Sequence, residues 1–278
     1  MRIGDYFEVV RLLGFKIITR EVIRRLFRIP YRYNGFMVST DLDFRALVNI
    51  KSLGYELSCI GEWRCSVKTA FGTLYVPYMP LLISGFENYG NMYSPLNVRG
   101  KVVLDVGALI GETALYFISR GARLVYAYEP VPLFYNYLVR NVKLNGVEGI
   151  VKTINAGLWF KDGEFCININ EPGPGLWIEH KECDKSGFYR VKVLEIAREF
   201  NRIYNEVGGF VVKLDCEGCE YSLLTLPCNV IKYADEYVME VHGAPSPIVD
   251  KLNECGFEMS VVSRGTYSII HFRNKALK

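Results

Sequence analysis

The stretch that decides the fold is Val102-Val103-Leu104-Asp105-Val106-Gly107-Ala108-Leu109-Ile110-Gly111-Glu112-Thr113. An apolar, β-rich run enters a glycine turn, and residues 112–120 then take up helical spacing, so the segment reads as strand, turn and helix. Gly107 and Gly111 let the backbone turn tightly and let a ligand approach without a Cβ in the way. Asp105 stands near the carboxyl end of the strand, where open α/β sheets bind ligands.

The same alternation continues outward. Strand-like runs at 102–106, 124–128, 150–154, 210–214 and 236–241 alternate with helical patterns at 112–120, 133–144, 194–205, near 220–226 and 246–255. Such alternation implies a parallel sheet covered on both faces. Two last strands, 257–263 and 267–272, are joined by Arg264-Gly265-Thr266 as a hairpin. The expected fold class is α/β, a doubly wound, Rossmann-like, mainly parallel sheet closed by a C-terminal antiparallel hairpin. Residues 157–193, with the loop at 171–175, interrupt the rhythm as an insertion.

Upstream the period differs. Residues 5–28 form a basic amphipathic helix or helix pair stopped by Pro30, and 41–53 form a second helix ended by Gly54. Segments 56–60, 62–69 and 73–76 read as an antiparallel meander, and 77–100 as a connector. Residues 1–84 are therefore expected to be a small α+β appendage, and 85–278 the main domain.

Composition narrows the function. The 278 residues are 50% apolar and carry 33 basic against 30 acidic side chains, so the field of the whole molecule is weak and a dedicated nucleic-acid binder is disfavoured. No run of about 18 uncharged apolar residues occurs and the N-terminus lacks a signal-peptide core, so the expectation is a cytoplasmic protein without a membrane span. The eight cysteines are scattered, and reduced thiols are expected outside a hyperthermophile. Cys216-x-x-Cys219 lacks a second pair, so no metal site is assigned.

A dinucleotide site would use G-x-G-x-x-G for its pyrophosphate, whereas here the spacing is G-x-x-x-G after an acid. An acid suits the cationic methionine end of S-adenosyl-L-methionine better than a diphosphate. Glu129, in Tyr126-Ala127-Tyr128-Glu129-Pro130, ends the next strand where a carboxylate can accept from both ribose hydroxyls. Further along, Val211-Val212-Lys213-Leu214-Asp215-Cys216-Glu217 and Met239-Glu240-Val241-His242 put Asp215, Glu217, Glu240 and His242 after buried strands on one sheet edge. These four can converge on one cleft. His242 has a pKa suited to proton removal near neutrality; Asp215 or Glu217 can do the same if burial raises its pKa.

LDVGALIGETALYF, YAYEPVPLFYNYLVRNVKLNG, INAGLW, VKLDCEGCEYSLL and MEVH, in this order, resemble the FkbM family of class I methyltransferases over residues 85–272. The resemblance implies O-methylation of hydroxyls, with a small-molecule or glycan acceptor and S-adenosyl-L-methionine as cofactor. It implies that Asp105, Gly107, Ala108, Gly111, Glu112 and Thr113 surround the methionine part, and that Glu129 with Pro130 lies at the ribose. Asn155 and Ala156 would lie beside adenine. Asp215, at the cofactor, and Glu217 would face the transferring methyl group. Leu109 departs from the Asn common in the family, which removes or moves one polar contact.

Rival readings are an RNA (tRNA) methyltransferase, suggested by the basic helix, a non-catalytic cofactor-binding module, and an NAD-dependent oxidoreductase. The basic helix could instead meet anionic lipid or a second subunit in a homodimer. Tyr75, Tyr78, Phe86, Tyr89 and Tyr93 would form a lid or packing, and His180 and His271 are read as structural.

Overall fold

The structure, a computed structural model, describes residues 10–60, 64–77, 79–168, 188–264 and 268–276. The expected loop at 171–175, Tyr78, His180, Cys183 and positions 265–266 of the expected turn lie outside them. The chain divides into two compact units, Met1–Asn88 and Tyr89–Lys278. No described helix is long and apolar enough to cross a membrane.

In the first unit, helix Phe15–Phe27 ends at Arg28, whose φ of 56° is left-handed. Strands β1 (Tyr31–Tyr33) and β2 (Phe36–Val38) pair as a hairpin. Sequence reading missed this hairpin although Asn34-Gly35 signals it: both residues have positive φ, as a tight two-residue turn requires. Helix Asp41–Ser52 opens with a capping box between Thr40 and Asp43. Strands β3 (Glu56–Ile60), β4 (Arg64–Thr69) and β5 (Gly72–Val76) then form the meander. The expected connector is partly helical, at Pro80–Ser84 in this unit and at Tyr89–Tyr93, which opens the second.

The second unit is built on seven strands in the order β14-β15-β13-β12-β6-β7-β8. These are β6 (Val102–Val106), β7 (Leu124–Tyr128), β8 (Val151–Ile154), β12 (Phe210–Leu214), β13 (Ala234–Val241), β14 (Phe257–Arg264) and β15 (Ser268–Asn274). All run parallel except β15, which is antiparallel to both β13 and β14. Every residue of β6 and of β12 is buried, as expected of central strands covered on two faces. The insertion folds as a separate sheet in which β11 (Phe188–Glu195) lies between β10 (Gly163–Asn168) and β9 (Gly157–Trp159). The segment expected as a helix near 220–226 is a 3-10 helix, Cys219–Thr225.

The expectation of reduced thiols is corrected. Cys59–Cys65, Cys216–Cys219 and Cys228–Cys255 are disulfides, and Cys166 is also disulfide-bonded. Cys59 and Cys65 face each other across β3 and β4, a juxtaposition that cysteine spacing alone does not reveal.

Candidate active site

The site begins where β6 and β12 run side by side, with Lys213 in register with Asp105. Asp105 is fully buried beneath the glycine turn: one carboxylate oxygen accepts from Thr113 Oγ1 at 2.7 Å, and the other lies 3.3 Å from Lys213 Nζ. Lys213 is 1% exposed and donates to the carbonyls of Gly107 at 2.7 Å and Val106 at 3.3 Å. Burial alone would lower its pKa, but Asp105, Asp215 and Glu112 raise it, so the ammonium stays charged. Burial raises the Asp105 pKa, and Lys213 opposes that rise.

Two features of the turn are forced by close approach. A Cβ on Gly107 (φ 81°) would lie 1.9 Å from the Asp215 carbonyl oxygen, so only glycine lets the β6 turn lie against the end of β12. Leu109 takes a left-handed φ of 47°, a conformation in which Asn is several-fold enriched over apolar residues. Its N–H donates to Glu129 at 3.0 Å. The fully buried Asn141 fastens the turn by donating to the Ile110 carbonyl at 2.8 Å.

Sequence reading did not single out Lys213 or Asn141. A lysine inside Val211-Val212-Lys213-Leu214 was a usable signal, because a charge in a buried strand demands a partner. Asn141 lies among ordinary polar helix positions and carried none.

Glu129, buried at the end of β7, receives N–H groups on both oxygens, from Val131 at 2.7 Å and Leu109 at 3.0 Å. Each oxygen keeps a lone pair for a further donor. Burial pushes its pKa up to about 8, and likewise that of Glu112, whose carboxylate accepts from Ile110 N–H. Asn155 spends its amide hydrogens on the Glu129 and Pro130 carbonyls. Ala108 and Ala156 are buried, and Gly111 starts helix Glu112–Ser119 with φ 96°.

The ends of β12 and β13 bring the remaining predicted residues together. Asp215 accepts from the Tyr93 hydroxyl at 2.9 Å, which gives that aromatic a polar task beyond packing. Glu217, at φ 55°, sits in the four-residue ring closed by Cys216–Cys219. Its Oε2 is buried without a hydrogen-bond partner, 3.6 Å from His242 Nε2. Burial raises the Glu217 pKa.

His242 Nδ1 is 2.8 Å from Oε1 of the fully buried Glu220, which also accepts the His242 backbone N–H at 3.0 Å. Glu240 Oε1 is 4.0 Å from Nε2. Although burial lowers the imidazole pKa, the Glu220 hydrogen bond and the charges of Glu217, Glu220 and Asp215 raise it to about 9. The expectation of a histidine titrating near neutrality is thereby corrected: the ring is protonated at pH 7.

Potential ligand atoms of Asp215, Glu240 and His242 lie within 4.8 Å of one another, so these three could hold a cation. The Cys216–Cys219 disulfide removes the thiolates that zinc would need. His271 is tied to Glu236 at 3.0 Å and lies 3.3 Å from Ser260 Oγ, both on neighbouring strands.

The methyltransferase FkbM domain matches residues 105–259, from the buried aspartate of β6 into β14. The chain belongs to the FkbM methyltransferase family. An uncharacterised protein of Sulfolobus islandicus filamentous virus is 27% identical over 157 residues, covering 56% of this chain and 69% of that protein. Among solved structures, the FkbM methyltransferase of Methylobacillus flagellatus KT is similar with a TM-score of 0.46 at 13% identity, over 67% of this chain and 48% of that one. The match thus spans about half of the Methylobacillus protein. TrmK of M. capricolum, bound to S-adenosyl-homocysteine, is similar at 13% identity with a TM-score of 0.43, over 68% of this chain and 69% of that one.

Membership makes residues 105–259 a methyltransferase domain, for which the expected cofactor is S-adenosyl-L-methionine. Its residues fit that group. Glu129 keeps acceptor capacity on both oxygens, and the glycine turn opens at the carboxyl edge of β6, against Asp215 at the end of β12.

Proposed function

We propose that the chain transfers the methyl group of S-adenosyl-L-methionine to a hydroxyl oxygen of a small molecule or glycan. The bound cofactor supplies an electrophilic methyl group on a cationic sulfur. Glu129 accepts from the ribose hydroxyls, and the Gly107–Gly111 turn surrounds the methionine part with Asp105, Ala108, Glu112 and Thr113 shaping it from beneath. Pro130 lies with Glu129 at the ribose, and Asn155 and Ala156 lie on the adenine side.

The observation that carries the reading is the 3.6 Å approach of Glu217 Oε2 to His242 Nε2, with Glu220 held against Nδ1. A partly desolvated carboxylate with a raised pKa suits removal of the acceptor's hydroxyl proton. The His242 imidazolium, held on Nδ1 by Glu220, favours negative charge developing on the acceptor oxygen. Asp215, positioned by Tyr93, orients the hydroxyl. The same cluster speaks against RNA, because Asp215, Glu217 and Glu240 would repel phosphates.

The test is methyl-labelled S-adenosyl-L-methionine offered with sugars, glycans and small hydroxylated acceptors, and in parallel with tRNA. Alkali-stable label on a hydroxyl acceptor is expected. Glu217→Gln should cut turnover by about 10²-fold or more while S-adenosylhomocysteine binding persists. Label found in tRNA alone, or full turnover by Glu217→Gln, refutes the assignment.

A further inference from the structure

Helix Phe15–Phe27 has a buried face and an exposed apolar one. Ile17, Ile18, Glu21 and Arg24 point inward and are buried. At about 100° per residue, Phe15, Val22 and Leu26 form a second stripe on the opposite side, continued by Ile23 and Phe27. Phe15 is 80% exposed, Leu26 70% and Phe27 68%, well beyond the isolated apolar residues that ordinary surfaces carry.

Charge around this stripe has one sign. Lys16 and Arg20 flank it on one side, Arg25 on the other, and Arg28 follows, all exposed. The single acid between residues 15 and 29 is Glu21, which is buried and bonded to Arg24 and Arg25. Asp41 pairs with Arg24 and approaches Arg25 at 3.8 Å. No acid among the described residues bridges Lys16, Arg20 or Arg28.

We infer that this face of the helix docks on an anionic lipid surface. An apolar stripe edged by long basic side chains matches a bilayer interface, where the stripe enters the acyl boundary and the cationic ends reach the headgroups. A second copy packed stripe to stripe would bring Lys16, Arg20 and Arg28 against their own counterparts. Nucleic acid would satisfy the cations but leave Val22, Ile23 and Leu26 in water. An anionic bilayer complements both halves of the pattern, and the helix lies on it without crossing. The inference does not depend on the identity of the methyl acceptor.

The test is co-sedimentation of the full chain with phosphatidylcholine vesicles containing or lacking about 30% phosphatidylglycerol. Pelleting is expected with the anionic vesicles, less with the neutral ones, and should decline as salt is raised. Leu26→Ser/Phe27→Ser changes exposed positions and should reduce partitioning by about tenfold or more. Arg20→Glu/Arg28→Glu should abolish the preference for anionic vesicles. Circular dichroism and thermal melting that match the wild-type chain confirm that both variants fold. No pelleting by the wild-type chain, or equal pelleting by the serine pair, overturns the inference. So does light scattering that shows a dimer which the serine pair converts to monomer, or tRNA binding that competes with vesicles and is indifferent to the serine pair.

Discussion

Lys213→Met removes one charge from the centre of the second unit while nearly keeping its volume. The ammonium binds two carbonyls of the cofactor turn, at 2.7 and 3.3 Å, and lies 3.3 Å from Asp105 and 3.8 Å from Asp215. Asp105 is 0% exposed, so its carboxylate cannot turn to water when its counter-ion is lost. Breaking a buried pair from one side costs about 3–5 kcal/mol, a large share of a typical total of about 5–15 kcal/mol. In a domain of this size that corresponds to roughly 6–20 °C of melting temperature. The single variant should show this loss in urea unfolding. Asp105→Asn added to Lys213→Met should recover more than half, because the stranded charge is then gone, whereas Asp105→Asn alone should destabilise. A loss below about 1 kcal/mol, or a double variant whose defects simply add, refutes the claim that Lys213 holds the turn through Asp105.

Three further outcomes are expected. Glu112 and Glu129 have pKa values raised by burial to about 8, so each keeps its proton more tightly folded than unfolded; their contribution to stability is complete below the ordinary carboxylate range and is lost as pH rises through about 8. The cofactor-free protein should therefore melt lower at pH 8.5 than at pH 6, by these two groups' titration. If Glu129 accepts from the ribose as proposed, S-adenosylhomocysteine should bind with proton release and tighten by up to about tenfold for each unit the pH is raised towards 8, and calorimetry showing a flat profile opposes this. Leu109→Asn relieves a left-handed apolar residue and should raise stability by about 1 kcal/mol, read by thermal melting; a lower melting temperature would count against the strain.

The second unit was legible because its signals are local. Val102–Val106 is apolar on both faces and Gly107 follows within the turn, so strand, turn and helix can be read from one window. The hairpin at Tyr31–Val38 was equally local, with Asn34-Gly35 at its tip, but its strands have only three residues each and present too little alternation to read. The disulfides were hidden for the opposite reason. Cys228 and Cys255 are 27 residues apart in sequence and meet only after the strand and helix between them have packed.

Chemistry was less legible than position, and His242 shows why. The motif correctly suggested that a histidine and several acids collect after β12 and β13, yet the proton state of the ring is decided by Glu220, 22 residues earlier in the chain and fully buried. An isolated imidazole beside a cleft would titrate near neutrality and serve as a base. Fixed by a desolvated carboxylate on Nδ1, the same ring holds its proton to about pH 9 and stands opposite Glu217 as a charge. In the proposed reaction, proton acceptance then falls to the group that burial has made more basic, which is Glu217. The exchange of roles follows from a 3.6 Å distance and a buried acid, neither of which has a counterpart in the spacing of residues along the sequence.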